Sequence, residues 1–208
     1  MKHPVNLEGW KRKEHYKFFS SLDDPFFGIT AQVDFTDTYL RCKEAGGSFF
    51  LHSLHFLLRC ANETEAFKLR VEGDEVVSFD RIHTSPTIGR EDGTFGFGFF
   101  QFDPDIRIFV QNAEKEIQRV RNCDGLAFSD DTERIDLIRY SALPWFTFSE
   151  MKHAVSFGGK DSVPRISTGR LTRAGNNYLL PLSICVHHGL ADGRDIADLI
   201  ERLETEKP

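Results

Sequence analysis

The chain has 208 residues and a formal net charge of −6, and this length suits one domain, residues 1–208, with a sizeable core. The acidic balance disfavours nucleic acid as a partner, and no apolar stretch approaches the ~18 residues of a spanning helix, so no membrane partner is expected. The N-terminus lacks the apolar segment of a signal peptide, and the four cysteines show no CxxC pair, so we expect a cytoplasmic protein with reduced thiols and no metal.

The first part of the chain predicts a short helix, a strand and a longer helix. Residues 11–22 begin with charges and continue with aromatic side chains, which favours a helix that ends at the turn of residues 23–25. Residues 27–35 alternate between two faces like a strand. Ser48 is a typical N-cap, and the apolar residues after it recur at helical spacing: Phe50, Leu51, Leu54, Leu57, Leu58 and Ala61.

The middle of the chain predicts a hairpin, a strand and an amphipathic helix. Residues 69–79 form two extended runs around a Gly-Asp turn. Residues 94–102 place phenylalanines on one face of a strand. A helix that opens at Asp103 and Pro104 follows, with a predicted buried stripe of Ile106, Phe109, Val110, Ala113, Ile117 and Val120.

The last third predicts three strands and a closing helix. Residues 137–148, 165–171 and 178–186 have strand patterns, and Pro181 implies an edge or a bulge, because proline cannot donate to a strand ladder. A helix follows Gly193 and packs one face, formed by Ile196, Leu199, Ile200 and Leu203. Together the elements predict an α+β fold with two layers, in which helices cover a mixed β-sheet.

The segment SICVHHGLADG, residues 183–193, carries the clearest chemical signal. His188 lies just past a buried strand, and Asp192 follows four residues later, before a helix. A histidine held there by packed layers can titrate near neutral pH and reach a cleft, which suits a general base.

Simpler interpretations of this segment remain open. His188 could be a partly buried structural histidine, and Asp192 could only cap the last helix. Metal binding by His187 and His188 is disfavoured, because neighbouring strand residues point to opposite faces and cannot easily share one ion.

Three motifs in matching order resemble one protein family. The HHxxxDG pattern is joined by WKRKEHY at residues 10–16 and by SALPW at residues 141–145, and residues 164–169 fall at the expected spacing between the latter and the histidines. In this order they resemble the chloramphenicol acetyltransferase family of coenzyme A-dependent acyltransferases. The resemblance covers nearly the whole chain and implies the fold of that family.

The resemblance implies a role for each matching residue. His188 would take the proton from an acceptor hydroxyl as it attacks acetyl-CoA, without an acyl-enzyme, and Ser141 would donate to the oxyanion. Asp192 would be a buried carboxylate, which needs a cationic partner, and the family pairs it with the arginine at Arg12. Ser167 stands where the family carries a threonine that holds a water, and Ser141 and Ser167 are the expected acetyl-CoA contacts. Without the resemblance, Ser141 is an ordinary strand residue and Arg12 a solvated charge.

Chain length carries an implication for assembly. Larger acyltransferases and condensation domains with HHxxxDG are roughly twice as long and build their tunnel from two such halves. This chain supplies one half, so the resemblance implies a cyclic homotrimer with active sites between copies.

The acceptor is less well defined by the sequence. By resemblance, its walls map to Phe26, Phe27, Met151 and His153. His153 and the neighbouring Lys152 would put polar groups against an apolar drug, unless they lie on an exposed turn, so chloramphenicol and antibiotic resistance are one reading among others. Two further alternatives are a dihydrolipoyl acyltransferase core and a non-catalytic relative that binds a small ligand.

Overall fold

The structure, a computed structural model, describes residues 1–154 and 161–208. Its α-helices are α1 (Lys13–Phe19), α2 (Thr36–Ala45), α3 (Phe49–Glu63), α4 (Ile106–Arg121) and α5 (Gly193–Thr205). Its strands are β1 (Lys2–Pro4), β2 (Phe26–Asp34), β3 (Leu69–Glu72), β4 (Glu75–Phe79), β5 (His83–Gly89), β6 (Phe95–Phe97), β7 (Leu137–Ala142), β8 (Arg165–Thr168), β9 (Thr172–Ala174) and β10 (Asn177–His187).

The main sheet is mixed and has the strand order β2-β10-β8-β7-β5-β6, with β9 also paired to β10. The pairs β5–β7 and β7–β8 are parallel, and the other pairs are antiparallel. A small sheet in the order β1-β4-β3 lies apart from it. The predicted α+β fold with a mixed sheet is confirmed.

Helices pack on one face of the main sheet and form the core with it. In β10 the residues Leu182, Ile184 and Val186 are buried and belong to the same apolar cluster as Leu54 of α3 and Leu199 of α5. Successive strand residues point to opposite faces, so the intervening positions of β10 form a second, more polar face. None of the helices described combines the length and the apolarity that crossing a bilayer requires.

Pro181 does not mark an edge, one of the two positions predicted for it, because β10 is a central strand with β2 on one side and β8 and β9 on the other. Pro181 pairs with Gln32 of β2, and its carbonyl accepts the N–H of Gly169, which follows the last residue of β8. Its missing N–H therefore faces the break between β8 and β9. Pro181 therefore only accepts in its pair with Gly169, and the regular pairing of β8 with β10 ends there.

Several predicted boundaries were wrong. The helix expected from Asp103 begins at Ile106, because the side chain of Asp105 accepts the N–H of Arg107 at 2.9 Å and acts as the N-cap. The strand expected over 94–102 is regular only in β6, and that expected over 137–148 ends with β7. Ser48 precedes α3 as predicted, although its side chain makes no capping hydrogen bond.

Candidate active site

The turn between β10 and α5 is held by backbone hydrogen bonds at both ends. The N–H of His188 donates to the carbonyl of Pro25 at 2.8 Å, which ties the turn to the start of β2. The carbonyl of His187 accepts from Leu190 and Ala191 at 2.9 and 3.1 Å. Because each bond involves the main chain, the turn presents the His188 side chain in a fixed direction.

The His188 imidazole lies between two aromatic rings. Its centroid is 3.9 Å from that of Phe19, in a stacked arrangement, and 4.2 Å from that of Phe27. Its Nδ1 lies 3.2 Å from the carbonyl oxygen of Ala191. A carbonyl can only accept, so in the neutral ring Nδ1 carries the hydrogen and Nε2 is the bare nitrogen.

Arg12 and Asp192 form the ion pair that the family resemblance implies. Arg12 Nη1 donates to Asp192 Oδ2 at 2.5 Å, and Nη2 donates to the carbonyl of His188 at 3.0 Å. The other Asp192 oxygen accepts the N–H of Arg194, which makes Asp192 the N-cap of α5. The carboxylate therefore both pairs with Arg12 and caps the helix. The hydrogen bond from Arg12 lowers the pKa of Asp192.

The Asp192 carboxylate is not buried, contrary to the expectation for this ion pair. The Asp192 side chain is 39% exposed and that of Arg12 is 20% exposed. Water therefore screens the pair, and breaking it costs less free energy than breaking a fully buried ion pair.

His187 has a structural environment that differs from that of His188. Its side chain is buried, and its Nδ1 accepts the N–H of Gly189 at 3.1 Å. Burial lowers the pKa of His187 to about 4, so the ring is neutral near pH 7. Over residues 1–154 and 161–208 the structure contains no cluster of three or more potential metal ligands.

Ser141 and Ser167 are neighbours on the polar face of the main sheet. The two residues are paired across β7 and β8, and Ser167 is paired with Ser183 across β8 and β10. Ser141 Oγ accepts from Thr87 Oγ1 at 3.3 Å, and Ser167 Oγ lies 3.0 Å from Nε2 of His153. These hydroxyls form a row across adjacent strands.

Two cavities each include one residue of this row in their lining, Thr87 in the larger and Ser183 in the smaller. The larger cavity, of about 920 Å³, includes Thr87 and Trp145 in its lining, together with Arg121, Arg170 and Arg173. The smaller cavity has a volume of about 420 Å³.

The smaller cavity brings together three of the residues predicted to contact the acceptor, namely Phe26, Met151 and His153. Lys152 is exposed and also lines it. Phe27, the fourth predicted residue, instead contacts the His188 ring.

A single chain does not bring His188 and Ser141 together. Ser141 is level with Ser183, two strands away from β10, and His188 lies five residues beyond Ser183. Strand geometry puts their Cα atoms about 16 Å apart along β10 and about 10 Å apart across it, roughly 19 Å in all. The two side chains therefore belong to different ends of the sheet.

Sequence reasoning missed several residues around these positions. Phe19 stacks on His188 although 169 positions separate them, and no local pattern signals this contact. Thr87 lies in β5, which was not predicted. Arg165 is 5% exposed in β8, and a charged residue in a strand otherwise apolar and small was the available signal.

The comparisons with known proteins point to one family. A family model described as chloramphenicol acetyltransferase matches residues 2–204. Chloramphenicol acetyltransferase 3 of Escherichia coli is 24% identical over 200 residues, which cover 96% of this chain and 93% of the relative. A chloramphenicol acetyltransferase of Klebsiella sp is 26% identical over 203 residues, with 96% and 91% covered.

Solved structures give the same assignment. A chloramphenicol acetyltransferase structure superposes with a TM-score of 0.91 at 28% identity and covers 100% of both chains. A dihydrolipoamide acetyltransferase of Azotobacter vinelandii superposes with a TM-score of 0.63 at 14% identity, covering 92% of this chain and 86% of the other, which shows a likeness of fold alone.

The fold and the family match together define an acetyltransferase. The chain belongs to the chloramphenicol acetyltransferase family, since the family model spans nearly its whole length. The family resemblance and the prediction of an O-acetyltransferase of this kind are thereby confirmed.

Proposed function

We propose that this cytoplasmic protein transfers an acetyl group from acetyl-CoA to the hydroxyl of a small acceptor, with His188 as general base. The observation that carries the proposal is the hydrogen bond from His188 Nδ1 to the Ala191 carbonyl. It leaves Nε2 without a hydrogen, which is the state that a base requires. The rings of Phe19 and Phe27 hold the imidazole plane on both sides, so Nε2 points in one direction.

The reaction then proceeds in one ternary complex. His188 Nε2 takes the proton of the acceptor hydroxyl while the hydroxyl oxygen bonds to the acetyl carbon. The carbon–sulfur bond breaks next, and the imidazolium returns its proton to the departing thiolate. Ser141 accepts a hydrogen bond from Thr87, which frees its own O–H to donate to the oxyanion between these steps.

The larger cavity fits acetyl-CoA, which supplies the acetyl group as an activated thioester. Its aromatic and aliphatic lining suits an extended apolar arm, and the guanidinium groups of Arg121, Arg170 and Arg173 would hold phosphates. Thr87 connects this lining to Ser141, and Ser141 is paired with Ser167. Through Thr87 the cavity is one hydrogen bond away from Ser141, and neither serine is in its lining.

The distance between His188 and Ser141 supports an assembly with shared sites. At about 19 Å they cannot act on one carbonyl within a chain, so a second copy would supply one of them. We propose a cyclic homotrimer, the form implied by the family resemblance, in which His188 of one copy meets Ser141 of the next.

Release of the coenzyme A thiol tests the proposal directly. Purified protein is incubated with acetyl-CoA and, in separate reactions, chloramphenicol and a panel of other alcohols. Thiol release that depends on an acceptor and is lost in His188→Ala supports acetyl transfer. Thiol release with other alcohols but not with chloramphenicol contradicts a role in antibiotic resistance and still supports acetyl transfer. No release with any acceptor contradicts the proposed function.

A further inference from the structure

Two buried nitrogen atoms near Ser167 lack a hydrogen-bond partner among the residues that the structure describes. They are Nη1 of Arg165 and Nδ1 of His153. Arg165 lies two positions before Ser167 on the same face of β8, and His153 binds the Ser167 hydroxyl through its other ring nitrogen. An unpaired buried polar group costs free energy, so two of them at one place indicate that a partner is missing.

Among the residues that the structure describes, the ion pairs around Arg165 leave one guanidinium without a carboxylate of its own. Its Nη2 donates to Asp161 Oδ2 at 2.6 Å, and the same oxygen accepts from Arg139 Nη1 at 2.9 Å. Two guanidinium groups thus share one carboxylate. The Arg165 guanidinium also lies 4.2 Å from the centroid of the Phe26 ring, which covers one face of the cation without neutralising it.

This charge lies next to the smaller cavity. Phe26, His153 and Cys185 line the cavity, and Cys185 is the register partner of Arg165 on β10. Burial, and then the Arg165 charge, lower the pKa of His153, so its ring is neutral and adds no second cation.

The cavity also has charged groups on its rim. Asp24, Glu150 and Lys152 are exposed there, and water and salt screen them.

Resting on the acetyl transfer proposed above, we propose that the acceptor is a hydroxy acid whose carboxylate is held by Arg165 and His153 while its hydroxyl receives the acetyl group. A carboxylate carries the single negative charge that matches the one unbalanced guanidinium, and its planar oxygens suit the Arg fork. A phosphate monoester would bring close to two charges to the same place.

The test compares acceptors that differ only in charge. Aliphatic and aromatic hydroxy acids, their primary amides and a hydroxyalkyl phosphate are each assayed with acetyl-CoA by thiol release, in wild type and in variants. We expect the acid to exceed its amide in kcat/KM by about tenfold or more, the effect of a charge-assisted hydrogen bond. Arg165→Met should remove this preference by raising KM for the acid, with the amide little changed.

Two further variants make the result decisive. Arg107→Met removes the same charge from an 86% exposed side chain of α4 and should keep the preference. His153→Leu removes the neutral second donor and should reduce the preference without abolishing it, because Arg165 keeps its charge; an unchanged preference in this variant would contradict the role of His153, also if Arg165→Met does not fold. Asp161 keeps Arg139 in the Arg165 variant, so folding is expected.

Each remaining outcome contradicts a defined claim. Equal use of acid and amide by wild type overturns the hydroxy acid assignment and leaves the proposed function intact. Preference for the phosphate overturns the choice of carboxylate. Absence of thiol release with every acceptor contradicts the proposed function itself and, with it, this inference.

Discussion

The Nδ1 of His188 donates to the backbone carbonyl of Ala191 over 3.2 Å, within one turn of chain. The acceptor is a main-chain atom three residues on, so a side-chain substitution at Ala191 does not remove it. The tautomer that leaves Nε2 free is therefore built into the turn between β10 and α5.

Replacement of His188 should abolish most of the proposed activity. His188→Ala is expected to lower kcat by about 10²- to 10⁴-fold, the range for loss of a general base, with KM for acetyl-CoA little changed. Steady-state thiol release measures both constants. His15→Ala, at an exposed position of α1, is the matched control and should retain full activity. Equal kcat values for the two variants would contradict the role of His188.

Arg12→Met should reduce activity by moving the turn rather than by removing a proton acceptor. Arg12 bridges the Asp192 carboxylate and the His188 carbonyl, so its loss is expected to lower kcat about tenfold. The free energy of unfolding should fall by only about 1 kcal/mol, because Asp192 is partly exposed. Urea unfolding and thiol release are measured on the same samples. An unchanged kcat with a large loss of stability would contradict a positioning role.

Loss of the Ser141 hydroxyl should affect turnover more than binding. Ser141→Ala is expected to lower kcat by about 10²-fold, as for removal of one oxyanion donor. Ser85→Ala removes a hydroxyl that is buried in the neighbouring strand β5 and should leave kcat nearly unchanged. A fall in both variants alike would indicate a packing effect in the sheet.

Acid should destabilise the protein through its buried neutral histidines. The pKa of His187 falls from an ordinary value near 6.5 to about 4 on burial, so below pH 6.5 the unfolded chain binds a proton that the folded chain rejects. The contribution of His187 to the free energy of unfolding is therefore full above about pH 6.5, and it is lost as the pH falls from about 6.5 to 4. From pH 7.5 to 5 this histidine alone should remove about 2 kcal/mol.

The matched variant for this effect is His187→Gln, whose amide oxygen can still accept the N–H of Gly189. Its unfolding free energy should fall less than that of wild type over the same pH range, in urea titrations at one protein concentration. If the unfolding free energies of wild type and variant fell in parallel with pH, burial of His187 would not be the cause of the acid destabilisation.

The sequence was most informative where function and local pattern coincide. The strand, the histidine pair and the helix after Gly193 lie within one segment, and the structure has β10, the turn and α5 there. Pro181 shows the limit of local rules. An edge or a bulge was expected from its missing N–H, whereas the break between β8 and β9, a tertiary feature, lets it occupy a central strand.

Other elements lacked a readable pattern. Strand β5 has the sequence HTSPTIG, and its polar residues Thr84 and Ser85 are buried, so it lacks the alternation of polar and apolar residues by which a half-buried strand is recognised. In α2 only Thr38 and Cys42 are buried, which gives too narrow an apolar stripe to detect. The stacking of Phe19 on His188 and the charge of Arg165 beside the smaller cavity depend on packing between distant segments.

The most direct test of the account is complementation between two inactive variants. His188→Ala and Ser141→Ala chains are denatured, mixed in equal amounts and refolded together, and thiol release is compared with that of each variant refolded alone. A site shared by two copies predicts that about a quarter of all sites regain both groups after random assembly of equal amounts into trimers, with activity in proportion. Mixed assemblies that form but show no more activity than the separate variants would contradict a site in which His188 and Ser141 come from different copies.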